Sequence, residues 1–494
     1  MSIFGIPGQG QQKLDYFLEA GTKELRNFIE NTLISGNGRE LDRITKYYLY
    51  WKFYDGQHYR DFNDSMLSFN YVKAFIDKVN QFLLGDSCFS FKVTNYSNDV
   101  VDEEVETAVE NIMLYNWRKN KYKLLSHEIL QMGSICGDAW VGLEWDADEE
   151  FAKINLFDSR QCFPIFKDGD TSKLEAFTVR YSLERNSSFY AVSVRKYTAD
   201  KIITWKQKTT AEVVNEEGMF EKQVYDNALG FIPVVHIKNK PQSNTYFSKS
   251  DAHDILKLNK VYNELNQELK SIIDYHATPT TIVTGATIKN MQRGIGNIWS
   301  GLPPEANVFN LGLDVDLSAA TQFAKDLKVA MHEISDVPEN VLGKIQSISG
   351  TSAAALKLTY QPLVQQADMK ALTYGESITE INEIILLMYE VFAPKNKLFK
   401  KVPKNFSDDY RCEPVFAYGF PTDRMIQLQE AEMELRLKLG SRKEIMNRIG
   451  KNNVPDLQAQ IVEEQESDAE LQQRLMPQQS GDAANGGIAN GNQA

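Results

Sequence analysis

Apolar and aromatic residues return at steps of three and four over 40–52 and again over 71–84, and Gly56 and Gly85 follow the two runs. That spacing places them on one face of a helix, and glycine commonly ends one, so two amphipathic helices are predicted. A longer helical stretch is expected over 102–133, with Val105, Val109, Ile112 and Leu130 on its apolar face and an acidic first turn that suits the helix dipole. Between 139 and 237 the period changes. Short runs rich in Val, Ile, Phe, Tyr and Trp alternate with polar residues and are broken at Asp168-Gly169, Asn186-Ser187 and 227–230. This reads as an antiparallel meander, and helices passing into strands without regular alternation predict an α+β, mostly helical fold.

In the middle of the chain the apolar stripe narrows. Ile255, Leu258, Tyr262, Leu265, Leu269 and Ile272 form a heptad-like seam that predicts a helix over 251–276, roughly 37 Å long. Ala320, Phe323, Leu327, Ala330 and Ile334 form a second seam, on a helix expected over 318–335. The insert between them carries strand-like 280–284, glycine-rich 294–301, Pro303-Pro304 and strand-like 308–311, which predicts a small β-containing cap on a helix pair. A loop bounded by Gly343 and Gly350 then leads into a helix reaching about Phe392, roughly 60 Å if continuous. Pro362 is expected to kink it near its first turns. A β-like stretch over 414–420 precedes further helices from 422, with Ser441 and Glu444 forming a capping box. Residues 477–494 are Gly, Asn, Gln and Ala with almost no apolar content, so disorder is expected there.

Composition adds bounds to this outline. At 494 residues and 42% hydrophobic content the chain can bury more than one core. Acidic residues outnumber basic ones, 67 to 54, for a net charge of -13, which opposes a tight grip on nucleic-acid phosphates. Cys88, Cys136, Cys162 and Cys412 are scattered without a C-x-x-C pair, which suits reduced, buried thiols and neither a disulfide framework nor a zinc site. The first 13 residues have no basic n-region or apolar core, so no secretory signal and a cytoplasmic protein are expected. The longest apolar stretch, 384–392, is interrupted by Glu390 and falls short of a membrane span.

Catalytic motifs fail one by one. Gly5 to Gly10 is followed by Gln11-Gln12 where a phosphate-binding loop needs lysine and a hydroxyl. Gly294-x-Gly296 meets Trp299 where a dinucleotide fingerprint needs glycine. His332-Glu333 and His127-Glu128 begin like zinc-protease helices, but Asp336 and Gln131 stand where the second histidine belongs. Both histidines are read as partly exposed helix residues. Ser349 and Ser352 lack a nucleophile-elbow context, and the six histidines are dispersed. No cofactor, no metal and no enzymatic activity are therefore expected. A metal-dependent nuclease assembled from distant carboxylates is the alternative that spacing leaves open, and another virion connector ring is a second.

Several short motifs, in order, resemble those of the portal proteins of tailed bacteriophages. They are Tyr54-Asp55-Gly56-Gln57-His58, Asn70-Tyr71-Val72-Lys73, Gly137-Asp138-Ala139-Trp140, 230–235, Ser250-Asp251 and, most specifically, Ser349-Gly350-Thr351-Ser352-Ala353-Ala354-Ala355-Leu356-Lys357. Gly440-Ser441-Arg442-Lys443-Glu444 and 456–464 look like the family's crown helices. The sequence departs from that pattern by an extra residue or two around Gly350 and by its asparagine-rich tail.

The resemblance implies a portal-type ring subunit: an α/β wing over 1–250, a two-helix stem over 251–277 and 318–337, and a clip over 278–317. A tunnel loop would follow over 338–351, then a long helix returning to the wing over 352–423, a crown over 424–476 and a disordered tail over 477–494. It implies a homo-oligomeric ring of about twelve at the capsid vertex of the virion, assembled in the bacterial host cytoplasm. Such a ring is the channel for packaging and ejection of double-stranded DNA. Expected partners are the terminase large subunit, the major capsid and scaffolding proteins and a head-completion adaptor, with no membrane. The residues placed opposite the apolar stripes, Lys260 and Lys325, together with Lys328 and the loop residues Lys344, Gln346 and Ser347, are the expected channel lining. Met291, Trp299, Pro303 and Pro304 of the clip are the expected docking residues.

Overall fold

The computed structural model describes residues 39–56, 67–85, 88–95, 103–170, 172–184, 190–207, 220–277, 280–285, 304–311, 317–343, 358–392, 406–419, 424–437, 445–446 and 461. The chain divides into two units, Met1–Gly419 and Phe420–Ala494. In the second, helix Arg424–Leu437 buries Ala431 and leaves Met433 and Leu437 exposed, while Ile445 is buried. The first unit is a mixture of helix and sheet, as the periodicities predict.

Helices α1 (Arg39–Tyr54) and α2 (Tyr71–Leu84) lie where the 3.6 period places them. Asn70 caps α2 by accepting from the Lys73 amide at 3.0 Å, and Val72, Phe75, Ile76, Val79 and Leu83 are all buried. The stretch expected as one helix over 102–133 is two, α3 (Glu103–Lys119) and α4 (Tyr122–Cys136). The cause is local. Lys121 takes a left-handed φ of 54°, and Asn120 turns its amide to strand β3 (Phe151–Phe157), donating to Ala152 O at 2.9 Å and accepting from Ile154 N at 2.8 Å. Asn116 accepts from Ala152 N at 2.9 Å. Two asparagine amides thus satisfy an edge strand whose backbone groups would otherwise be buried unpaired, and the helix breaks where they do so.

Strand β1 (Phe89–Asn95) pairs antiparallel with a strand far along the chain, Tyr410–Phe416. The meander expected over 139–237 is antiparallel throughout but forms two sheets. Strand β2 (Asp138–Asp146) is flanked by β3 and by Val234–Lys238, while β4 (Cys162–Phe166), β5 (Leu174–Glu184), β6 (Tyr190–Tyr197), β7 (Lys201–Gln207) and β8 (Phe220–Asp226) run as a five-stranded meander. Trp140, Phe157 and Val234 of the first sheet and Phe177, Val179 and Tyr197 of the second share one aromatic core, which needs two facing layers.

Past β9 (Val234–Lys238), helix α5 (Leu256–Ala277) and helix α6 (Ser318–Ile334) pack together, with the hairpin β10 (Thr280–Thr284) and β11 (Asn307–Leu311) between them in sequence. Residues 251–255, expected as helix, form turns. Helix α7 (Gln361–Phe392) spans about 48 Å. Leu358 and Thr359 are helical, Tyr360 is a turn and α7 begins at Gln361, so the helical run is interrupted next to Pro362, where the kink is expected. After the short helix α8 (Phe406–Asp409), strand β12 (Tyr410–Phe416) lies against α7. Asn382 ties these together, accepting from Trp117 Nε1 at 2.8 Å and donating to Cys412 O at 2.8 Å. All four cysteines are free and buried, and burial pushes the Cys412 thiol up to about 12.

His332, expected to be partly exposed, is buried. Its Nδ1 lies 2.7 Å from Val337 O and its ring packs on Phe75, because the chain turns back over the end of α6. His127 is exposed.

Gly137 sits between α4 and β2 at φ 96°, and a Cβ there would stand 2.6 Å from Ser248 O. Gly137→Ala is expected to destabilise the protein by about 2 kcal/mol or more, since a left-handed conformation and a backbone clash act together. Urea unfolding followed by circular dichroism measures it.

Candidate functional site: a helical hairpin hung on a buried polar hub

The turns that open α5 are fastened to the body by charge. Lys370, on α7 and 1% exposed, places Nζ 2.6 Å from Asp251 Oδ2, 2.9 Å from Asn239 Oδ1 and 2.5 Å from Ser134 Oγ. Asp251 also meets Lys240 at 3.0 Å and accepts from Asn239 Nδ2 at 3.0 Å, and Tyr374 donates to Asn239 Oδ1 at 3.0 Å. An ammonium out of water is tolerable only when carboxylate and neutral acceptors surround it. Burial alone would raise the Asp251 pKa, but Lys370 and Lys240 overcome it and hold the carboxyl well below the usual range. Burial draws Lys370 below its ordinary value, and Asp251 offsets this only in part. The hub joins α4, the end of β9, the start of the hairpin and α7.

A second cluster lies beside it. Asp138, fully buried, accepts from Tyr47 Oη at 2.5 Å and from Ser248 N at 3.0 Å, and sits 2.8 Å from His236 Nε2. His236 stacks on Trp140 at 3.9 Å, and burial lowers its pKa against the pull of Asp138. Ser250 donates to Ile135 O at 2.6 Å and accepts from Ala252 N at 3.0 Å. The motif residues 137–140 and 250–251 therefore form the joint between body and hairpin.

Along the hairpin, α5 grips an extended segment by side-chain amides. Asn259 Oδ1 accepts from Tyr71 N at 3.0 Å, Asn263 Oδ1 from Phe69 N at 2.8 Å and Gln267 Oε1 from Leu67 N at 3.0 Å. The spacing explains the fit: four residues of helix rise about 6.0 Å and two of extended chain about 6.6 Å. On α6, Lys328 pairs with Glu339 at 3.3 Å, and Tyr71 packs between the helices against Tyr262 and His332. Asn340 Nδ2 donates to Thr359 Oγ1 at 2.7 Å, so residues on either side of 344–357 are clasped together.

Of the expected channel residues, Lys260 is exposed and 3.7 Å from Glu264, Lys325 is exposed, and Lys328 is held by Glu339. Lys344, Gln346 and Ser347 lie outside the described residues, as do Met291, Trp299 and Pro303; Pro304 is exposed in a turn before β11. The second seam is shifted. Ala324, Leu327, Met331 and His332 are the buried residues of α6, whereas Phe323 and Ile334 are half exposed. Sequence reasoning missed the Asn259–Asn263–Gln267 ladder, although three amides at intervals of four were a visible signal. It also missed Lys370, whose signal was a lone lysine amid an apolar helical face.

Among the described residues, no group of three or more His, Cys, Asp or Glu could hold a metal ion, and no helix is long and apolar enough to cross a membrane. Cys136 and His236 are sealed in the interior, whereas His127 and His253 are exposed. Fold and site together define a mixed helix-and-sheet chain whose buried charges anchor a helical hairpin. Residues 30–471 match the family described as phage portal protein, SPP1 Gp6-like, and the chain belongs to that family. The general role of this family is the channel for DNA packaging at the capsid vertex, a structural role and not an enzymatic one. A search of curated proteins found no match.

Lys370→Met is expected to cost about 3 kcal/mol, because it leaves Asp251 buried with Lys240 alone. Asp251 contributes its stability above the ordinary carboxylate range and loses it as pH falls through its depressed folded value. The variant should therefore unfold at a higher pH than wild type in an acid titration. Asn263→Leu strands the Phe69 amide and is expected to cost about 1–3 kcal/mol by urea unfolding.

Proposed function

We propose that the α5–α6 hairpin forms the channel wall of a homo-oligomeric ring of about twelve subunits, through which double-stranded DNA is packaged and later ejected. The family match across most of the chain carries this reading, and the hairpin's narrow apolar seam supports it. In this reading, residues 251–277 and 318–337 are the stem, 278–317 the clip, 338–351 the tunnel loop and 424–476 the crown, with the body as wing.

Transport needs shallow barriers. A lining of many lysines would release counterions on contact and hold the duplex, whereas an acidic wall with few cations lets it slide. Glu264, Glu268, Asp326 and Glu333 are exposed on the hairpin beside Lys260 and Lys325, and Lys328 is held by Glu339. Lys344, Gln346 and Ser347 belong to the loop assigned to the narrowest part of the tunnel. The clip, with Met291, Trp299, Pro303 and Pro304, would receive the terminase large subunit during packaging and a head-completion adaptor afterwards. The major capsid and scaffolding proteins would surround the wing, with assembly in the host cytoplasm.

Analytical ultracentrifugation of the purified chain should show a discrete species near twelve subunits; a monomer at every concentration would sink the reading. Deleting 344–349 should preserve that species yet impair DNA retention in a packaging assay, and wild-type retention would reduce the loop to a connector.

A further inference from the structure

The two sides of the α5–α6 hairpin are unlike each other. One side is occupied by the chain itself: Asn259, Asn263 and Gln267 hold residues 67–71, while Lys328 and His332 meet Glu339 and Tyr71. The other side is open. Val261 and Phe323 are 42% and 51% exposed there, with Leu265, Ile272 and Ala330 half-buried around them. Helical spacing aligns Val261, Leu265 and Ile272 on one shoulder of α5 and Phe323 and Ala330 on the matching shoulder of α6, so the five form one stripe along the hairpin. A contiguous exposed stripe of this kind marks a contact surface, unlike single scattered apolar residues.

The occupied side offers the complement. Leu67 and Phe69, pinned by their amides to α5, keep 38% and 39% of their surface exposed, and one edge of the Phe69 ring rests on Tyr262. The charges at the two margins are opposite. Glu264, Glu268 and Asp326 flank the open stripe, whereas exposed Lys73 and Lys325 lie towards the occupied side.

We infer that the open stripe of Val261, Leu265, Ile272, Phe323 and Ala330 receives the Leu67–Phe69 segment of a second copy of this chain. This rests on the ring reading and specifies its contact. Two different faces on opposite sides of one element make a head-to-tail interface, which repeats from copy to copy and closes into a ring, whereas a two-fold interface would pair each face with itself. The amide ladder then has a second role. By fixing the register of residues 67–71 on α5, it presents Leu67 and Phe69 to the neighbour as a rigid strip.

The test uses the full chain with cysteines introduced in pairs and a short bismaleimide; the four native thiols are buried. Leu67→Cys with Phe323→Cys should give a ladder of covalent multimers on a denaturing gel, and each single variant should give monomers only. Phe69→Cys with Val261→Cys supplies an independent pair should the first disturb folding. A covalent dimer from Phe323→Cys alone would overturn the inference in favour of a two-fold contact. Absence of a ladder from both pairs, with ring-sized particles still seen by ultracentrifugation, would overturn the contact and leave the ring reading standing. Wild type that is monomeric throughout would overturn both.

Discussion

The ion pair between Lys370 and Asp251 is the constraint around which the first unit is arranged. Neither charge can remain in the interior without the other, and the neutral acceptors that complete the ammonium's shell come from separate elements. Ser134 lies on α4, Asn239 follows β9, Asp251 opens the hairpin and Lys370 belongs to α7. Shifting any of these elements breaks a charged hydrogen bond in a dry environment, where its loss is largest. Hydrophobic packing alone would tolerate small slips of helix on helix. The polar hub does not, and it thereby sets where the hairpin leaves the body.

From that joint outward the logic changes from charge to amide. The ladder on α5 holds an extended segment by matching the rise of a helical turn to that of two extended residues. Tyr71, at the end of the same segment, fills the groove between α5 and α6. The hairpin is thus braced along one side by its own chain. Its remaining surface divides into an apolar stripe and an acidic, sparsely cationic face, a division suited to a subunit that packs sideways against its copies and presents charge to a duplex passing by.

Much of this was legible in the sequence because it depends on periodicity. The 3.6 and 2.0 repeats located most helices and strands, and the order of short motifs pointed to the portal family that the family match establishes. What was not legible depends on distant partners. The break between α3 and α4 arises from Asn116 and Asn120 serving a strand some 30 residues on, and nothing local marks it. The division of the strands into two sheets depends on β9 returning to β2. His332 reads as a surface residue until Tyr71 and Phe75 cover it. Lys370 and Asp251, 119 positions apart in the numbering, meet only once the whole body has folded. Phe323 and Ile334 fit a helical seam by spacing, yet Ala324 and Met331 are the residues that become buried.

In the proposed ring, the hairpin fixed by the hub lines the central hole. A cryo-electron-microscopy map of the assembled particle tests it directly. The predicted result is a rotationally symmetric ring in which α5 and α6 of every subunit border the central opening, with Lys260 and Lys325 turned to the axis and the Lys370–Asp251 contact intact behind them. A ring with these helices on its outer rim, or with the hole bordered by the five-stranded sheet, would contradict it.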